Sequence, residues 1–233
     1  MTTAFRPAIA LISLSLAGAA VFTATGGTAA FAAEEAKIIP APKLKTTETG
    51  KQRVAIFAGG CFWGVEGVFS HIKGVKSAVS GYHGDAKTNA SYDDVSSGAT
   101  RHAESVKVVY DPSQVSYGQL LQVFFSVVAD PTLLNRQGPD VGRHYRTALV
   151  PTDKAQAQVA RAYIAELGSA GAWKKRIVTA VEPYKAFYPA ETYHQDFMFK
   201  NPDHPYIQRW DAVKVANLKR TFPALYSAKP VRG

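Results

Sequence analysis

The stretch "RVAIFAGGCFWGVEGVFSHI", residues 53–72, decides how this chain is read. Its first half, "RVAIFAGG", is short, apolar and closed by two glycines, the pattern of a buried β-strand running into a turn. Its second half, "CFWGVEGVFSHI", sets Phe62, Val65 and Phe69 at i, i+3 and i+7, the spacing of one helix face. The unit is strand, turn, helix, and Cys61 opens the helix. It is the single cysteine in 233 residues. A thiol at a helix start meets unpaired N–H groups and partial positive charge, which favour thiolate over thiol. A buried, inert cysteine is the alternative. Gly59 and Gly60 permit the turn and a close approach of substrate to the backbone.

Working outward, "VKSAVSGY" at 75–82 reads as a second strand, and "HGDAKTNASYDDVSSGATR" at 83–101 as a loop. "HAESVKVVYD" at 102–111 alternates, with Glu104, Val106, Val108 and Tyr110 on one face and Ser105 and Lys107 on the other. That places a carboxylate among valines. "SYGQLLQVFFSVVAD" at 116–130 starts with Ser116 as N-cap and Gln119 three residues on, a capping box, followed by a core stripe of Leu120, Leu121, Phe124, Val127 and Val128. A strand at 145–151, a helix at 153–168 closed by Gly168, a strand at 177–184 and helices at 190–201 and 206–222 complete the reading. The expected fold is α+β: a two-layer sandwich with a ferredoxin-like plaited core, a mixed sheet and flanking helices.

Composition is that of a globular protein, 46% hydrophobic and 19% charged, with net charge +9. The lysines and arginines are scattered without an interleaved aromatic stripe, so the basic surface is solvated and no nucleic-acid partner is expected. Before the first strand, Arg6 and the apolar run "AIALISLSLAGAAVF" lead to Ala30-Phe31-Ala32, a small-x-small cleavage pattern. Residues 1–32 are read as a signal peptide cut between Ala32 and Ala33, residues 33–51 as a flexible linker, 52–222 as the folded domain and 223–233 as a tail. The expected location is periplasmic, and the alternative is a membrane anchor at residues 8–22. Exported proteins usually pair their thiols, so a lone cysteine there indicates a reactive group.

Two glutamates compete as proton donor beside that thiol. Glu66, five residues past Cys61, lies about 140° around the helix and faces away. Glu104 turns inward with the valines, where desolvation raises its pKa and keeps it protonated near neutral pH; a structural ion pair is the alternative. Phe62 and Trp63 either wall a small apolar pocket or simply pack in the core. Two further readings compete: a cysteine hydrolase using His102 or His194 as base, and a binding module with an inert Cys61. No C-x-x-C is present for a thioredoxin-type dithiol site, and the six histidines form no close-spaced metal set.

"GGCFWGVE" resembles the signature of the A-type peptide methionine sulfoxide reductases. "SYDDVSSGATRHAESVKVVYDP", "DPTLLNRQGPDVGRHYR" and "AETYHQDF" are similar in order and spacing to that family's other characteristic stretches, and together they cover roughly residues 53–210. The resemblance implies Cys61 as nucleophile, Glu104 as acid, and Tyr92 and Tyr145 as hydroxyls binding the sulfoxide oxygen. It also places Phe62, Trp63, Asp140 and His194 with the substrate. It implies reduction of methionine-S-sulfoxide, protein-bound and free, through a sulfenic acid, with no bound cofactor or metal; the chain is expected to be a monomer. Many relatives carry resolving cysteines near the C-terminus, whereas "LKRTFPALYSAKPVRG" has none. Recycling must then use an external thiol: a thioredoxin-like protein, a glutaredoxin-like protein or a small thiol. Arg101, Arg143 and His144 depart from the smaller or uncharged neighbours expected, which puts the charge around Tyr145 in question.

Overall fold

β1 (Arg53–Gly59) leads through Gly60 into α1 (Phe62–Ser70), and the chain returns in β2 (Val75–His83). After the short helix α2 (Tyr92–Ser96), β3 (Ala103–Tyr110) enters between β1 and β2 and pairs antiparallel with both. This is a split β-α-β unit, with α1 as the crossover. The structure, a computed structural model, describes residues 1–2 and 35–233, so nearly all of the expected signal peptide lies outside the described residues.

Next come α3 (Tyr117–Val123), the small hairpin of β4 (Arg136–Gln137) and β5 (Asp140–Val141), and β6 (Thr147–Val150). Then follow α4 (Lys154–Ser169), β7 (Ala180–Val181), β8 (Phe187–Pro189), α5 (Phe197–Lys200) and α6 (Ala212–Thr221). The main sheet has the order β7-β6-β1-β3-β2-β8 and is antiparallel except where β6 meets β7. It is therefore mixed and flanked by helices, as the alternation of patterns requires.

Local sequence explains most of these elements. The capping box forms: Ser116 Oγ accepts from Gln119 N–H at 3.2 Å, and Gln119 Oε1 accepts from Ser116 N–H at 2.9 Å. α3 then runs on as a π-turn over Phe124–Val128, and the expected stripe from Leu120 to Val128 is buried. Phe57 of β1 stacks on Phe69 of α1 and Phe124 at 4.5 and 5.6 Å, which joins the two halves of the opening unit through one aromatic cluster.

Four expectations need correction. The loop at 83–101 contains α2, started by Ser91 Oγ accepting from Asp94 N–H at 3.2 Å. α4 passes Gly168 to Ser169, and the chain turns instead at Gly171, whose φ of +62° suits only glycine without strain. The strand expected at 177–184 shortens to two residues. The helix expected from Ala190 begins at Phe197, because the residues before it are bound to β2: Gln195 Oε1 accepts from Ser80 N–H at 3.0 Å and its Nε2 donates to Ser80 O at 2.9 Å.

The segment before β1 was expected to be a flexible linker. It has no regular structure, yet it is strapped across α3 and α4. Lys37 N–H donates to Ser126 O at 2.8 Å, Gln122 Nε2 to Ile39 O at 2.7 Å, and Ile39 is buried. Glu48 accepts from the Tyr110 hydroxyl and, at 2.7 Å, from Tyr117 N–H. At the other terminus, Ser227 N–H and Val231 N–H donate to His71 O and Ser70 O at 2.7 and 2.9 Å, laying the last residues along the end of α1. Among the described residues no helix is long and apolar enough to cross a membrane. Glu48→Ala removes the charged acceptor of two partly buried donors and is expected to cost about 2 kcal/mol. The check is a lower urea midpoint at unchanged slope; an unchanged midpoint would mean the strap adds nothing.

Candidate active site

Cys61 is the N-cap of α1 and 9% exposed. The turn before it depends on Gly60 at φ +90°, where a Cβ would lie 2.6 Å from Cβ of Gln137. Gln137 in turn accepts from Asp130 N–H at 2.9 Å and donates to Asp130 O at 2.8 Å. The β4–β5 hairpin is thereby pressed against the cysteine turn and brings Asp140, with Tyr145 following on a 3-10 turn at Arg143–Tyr145.

Glu104 comes from the middle sheet strand, 2% exposed, and its Oε2 accepts the Phe62 N–H at 2.9 Å. Burial pushes its carboxyl up to about 8, the Phe62 N–H pulls down, and the charges of Asp140 and Asp211 push up again. It therefore holds its proton at neutral pH, as its place among the valines leads one to expect.

In the resting site, burial opposes the thiolate that the helix start favours. Burial raises the thiol well above its ordinary value, and the charges of Glu104, Asp211 and Asp140 add to this, against the Trp63 N–H. The physical reason lies in who receives the helix start. The first N–H, that of Phe62, is taken by Glu104, and the carboxyl groups of Glu104, Asp140 and Asp211 stand around the sulfur.

Aromatic rings wall the site. Phe62 and Tyr92 lie 5.0 and 4.5 Å from the His194 ring, and Trp63 Nε1 donates to His194 Nδ1 at 3.0 Å. Burial raises the phenols of Tyr92 and Tyr145, with Glu104 and Cys61 adding to both, so each keeps its proton as a donor. Asp140 accepts from the Tyr206 hydroxyl; burial lifts its carboxyl and this bond lowers it. All eight residues singled out in the sequence thus converge, linked by hydrogen bonds, ring contacts or mutual charge.

Other candidates do not join them. Glu66 is buried on the opposite side, accepting from Ser80 Oγ and from Asp196 N–H at 2.7 Å, and burial pushes its carboxyl up to about 7. His102 Nε2 lies 3.0 Å from Ala86 O, and among the described residues no histidine is hydrogen-bonded to Cys61. Arg101 is paired with Asp85 on the surface, while the His144 ring lies tilted against that of Tyr145 at 4.1 Å, its proton affinity lowered by burial. A cleft of about 400 Å³ between Trp63, Met198 and Val231 lies behind the site and touches it only through Trp63.

Sequence reasoning missed Glu191, which accepts from Tyr92 N–H and from the Tyr82 hydroxyl, both at 2.9 Å, and so fixes one of the two phenols. It also missed Tyr206 and Asp211. Tyr206 and Asp211 lie in a segment that was read for helical periodicity, and Glu191 stands in "AETYHQDF", where only His194 was singled out.

A family profile described as peptide methionine sulfoxide reductase matches residues 53–225. The chain is 59% identical over 177 residues to the peptide methionine sulfoxide reductase MsrA 2 of Mesorhizobium japonicum, covering 76% of this chain and 91% of that one. It is 49% identical over 191 residues to MsrA 2 of Synechocystis sp., covering 80% and 89%. Among solved structures it is similar to reduced Mxr1 of Saccharomyces cerevisiae, with TM-score 0.59, 32% identity and coverage of 70% and 92%. It is also similar to methionine sulfoxide reductase A of Corynebacterium diphtheriae, with TM-score 0.57, 31% identity and coverage of 73% and 87%. The chain belongs to the peptide methionine sulfoxide reductase family.

A resting thiol makes a direct prediction. Alkylation of Cys61 by iodoacetamide without substrate is expected to climb throughout pH 7 to 9, with a midpoint above the roughly 8.5 of free cysteine. Fast alkylation at pH 6 would contradict it.

Proposed function

We propose that this protein reduces the S epimer of methionine sulfoxide, in proteins and free, with Cys61 as nucleophile, Glu104 as acid and an external thiol as reductant. The observation that carries this reading is a carboxyl held protonated near neutral pH and bonded to the first N–H of the helix that Cys61 caps. The sulfoxide oxygen is received by the Tyr92 and Tyr145 hydroxyls, and the methyl group sits against Phe62 and Trp63. Cys61 sulfur, giving up its proton, attacks the sulfoxide sulfur while Glu104 delivers a proton to the oxygen. The new sulfur–sulfur bond replaces the sulfur–oxygen bond, the oxygen leaving as water with the protons of Cys61 and Glu104; water then adds to the Cys61 sulfur as the sulfur–sulfur bond breaks, so methionine leaves, Cys61 becomes a sulfenic acid and a proton returns to Glu104.

With no second cysteine, an incoming thiol attacks this sulfenic acid, water leaves, and a further thiol frees Cys61 as a disulfide of the reductant forms. Two external thiols are oxidised for each sulfoxide reduced. The residues before 33 direct export, by cleavage after Ala32 or by retention of residues 8–22 as an anchor, and the substrates are then oxidised envelope proteins. Intact mass of the membrane and periplasmic fractions separates the two.

Turnover of the separated epimers of an N-blocked methionine sulfoxide, with and without dithiothreitol, tests the whole reading. Reduction of the S epimer alone, and only with thiol, is expected, and Cys61→Ser should remove it. Activity of the serine variant would sink the proposal. Glu104→Gln is expected to lower kcat roughly 100-fold. Because Glu104 carries its proton below about 8, the wild-type rate should lose this contribution as pH rises through that value, and the glutamine variant should show no such loss.

A further inference from the structure

Asp211 has no part in the chemistry above, yet it is among the most deeply buried charged side chains, with no exposed surface. It ends the π-turn Ile207–Asp211 that leads into α6. Among the described residues neither of its carboxylate oxygens has a hydrogen-bond partner. The carboxylate lies directly on the first turn of α1: a Cβ at Gly64 would come within 2.2 Å of Asp211 Oδ1, so glycine at 64 is what admits it. Cys61 caps that same turn.

We propose that Asp211 is a positioning residue whose carboxylate, seated without a partner on the first turn of α1, keeps the resting Cys61 sulfur in its protonated form. A helix start stabilises negative charge, and the charge it stabilises here is divided among competitors. Glu104 takes the Phe62 N–H, and Asp211 occupies the face at Gly64, so a negative sulfur at the N-cap meets two carboxyls where a lone cysteine would meet bare N–H groups. The groups around the thiol are Glu104 from β3, Asp140 from β5, Tyr92 from α2, Tyr145 from the 3-10 turn, and Tyr206 and Asp211 from the chain entering α6. Lys214 of α6 is the cation that moderates both Asp211 and Asp140. Glu104 and Asp140 have hydrogen-bonding duties of their own. Asp211 has only its charge.

The chemical gain is protection. Peroxide oxidises thiolate far faster than thiol, and oxidation past the sulfenic acid to sulfinic and sulfonic acids is irreversible without a dedicated repair enzyme. A protein whose single cysteine does its chemistry has no neighbouring thiol to trap the sulfenic acid as a disulfide, so restraining the resting sulfur guards it.

The test uses Asp211→Asn, which keeps shape and removes charge, and Asp211→Leu, which fills the space without polar atoms. In either folded variant, iodoacetamide should alkylate Cys61 roughly tenfold faster at pH 7.5 than in the wild type, the profile moving about one pH unit toward acid. Excess hydrogen peroxide should also convert Cys61 to higher oxides faster, read by intact mass. An alkylation profile that coincides with the wild type would overturn the inference. Stability adds a second reading. Burial raises the Asp211 carboxyl to about 7, above its unfolded value, so the wild type loses stability as pH rises toward 7 and the variants lack that loss. A variant that unfolds at neutral pH would instead mean the carboxylate has a structural partner, which also overturns the inference. The inference rests on Cys61 being the reacting thiol; that reading fails in the turnover of Cys61→Ser, whereas this one fails in the alkylation profile or the stability of the Asp211 variants.

Discussion

A single hydrogen bond, from the Phe62 N–H to the Glu104 carboxyl, joins the central strand of the sheet to the start of the helix that carries the cysteine. Because β3 lies between β1 and β2, its inward face points to where the β1–α1 turn ends, and the shared register leaves Glu104 at the tip of that turn. The bond does two things at once. It satisfies a helix donor that would otherwise be orphaned, and it holds a buried acid beside the sulfur it serves. The phenols, the aromatic wall and the β4–β5 hairpin are arranged around that pair.

The environment of the pair shows how burial outweighs local dipoles. At an exposed helix start, the dipole alone would draw a cysteine toward thiolate. Here desolvation acts on sulfur and carboxyl alike, and each disfavours the other's charge. Both therefore rest neutral. In the proposed reaction such a site stores the proton that the oxygen of the substrate needs and withholds nucleophilic charge until a polar sulfoxide enters, so that the substrate completes the electrostatics.

Much of this was legible in the sequence because the central elements obey short-range rules. The period-2 pattern of "HAESVKVVYD" placed Glu104 inward, the glycine pair before Cys61 placed the turn, and Ser116 with Gln119 announced α3. What was missed is held by contacts distant in sequence. Gln195 replaces strand pairing at the edge of β2 with a side-chain amide, so Ala190–Asp196 obeys no helical or strand period. Glu48 binds groups 62 and 69 residues away, and nothing in a polar, proline-containing segment announces that it will be a strap. Asp211 was hidden for the opposite reason: one acid in a helical run reads as a solvated face, and only the absence of a side chain at Gly64 turns it inward.

The anchoring of the last residues along α1 has a kinetic meaning. A resolving thiol on the same chain would make reduction of a sulfenic acid a first-order step. Here residues 227–231 are bonded to the backbone of Ser70 and His71 and hold no thiol, so this segment is no shuttle. The oxidised enzyme waits for a collision. In the proposed cycle the reductive half-reaction is second order, and throughput reports the concentration of reducing thiol as directly as it reports the burden of oxidised methionine.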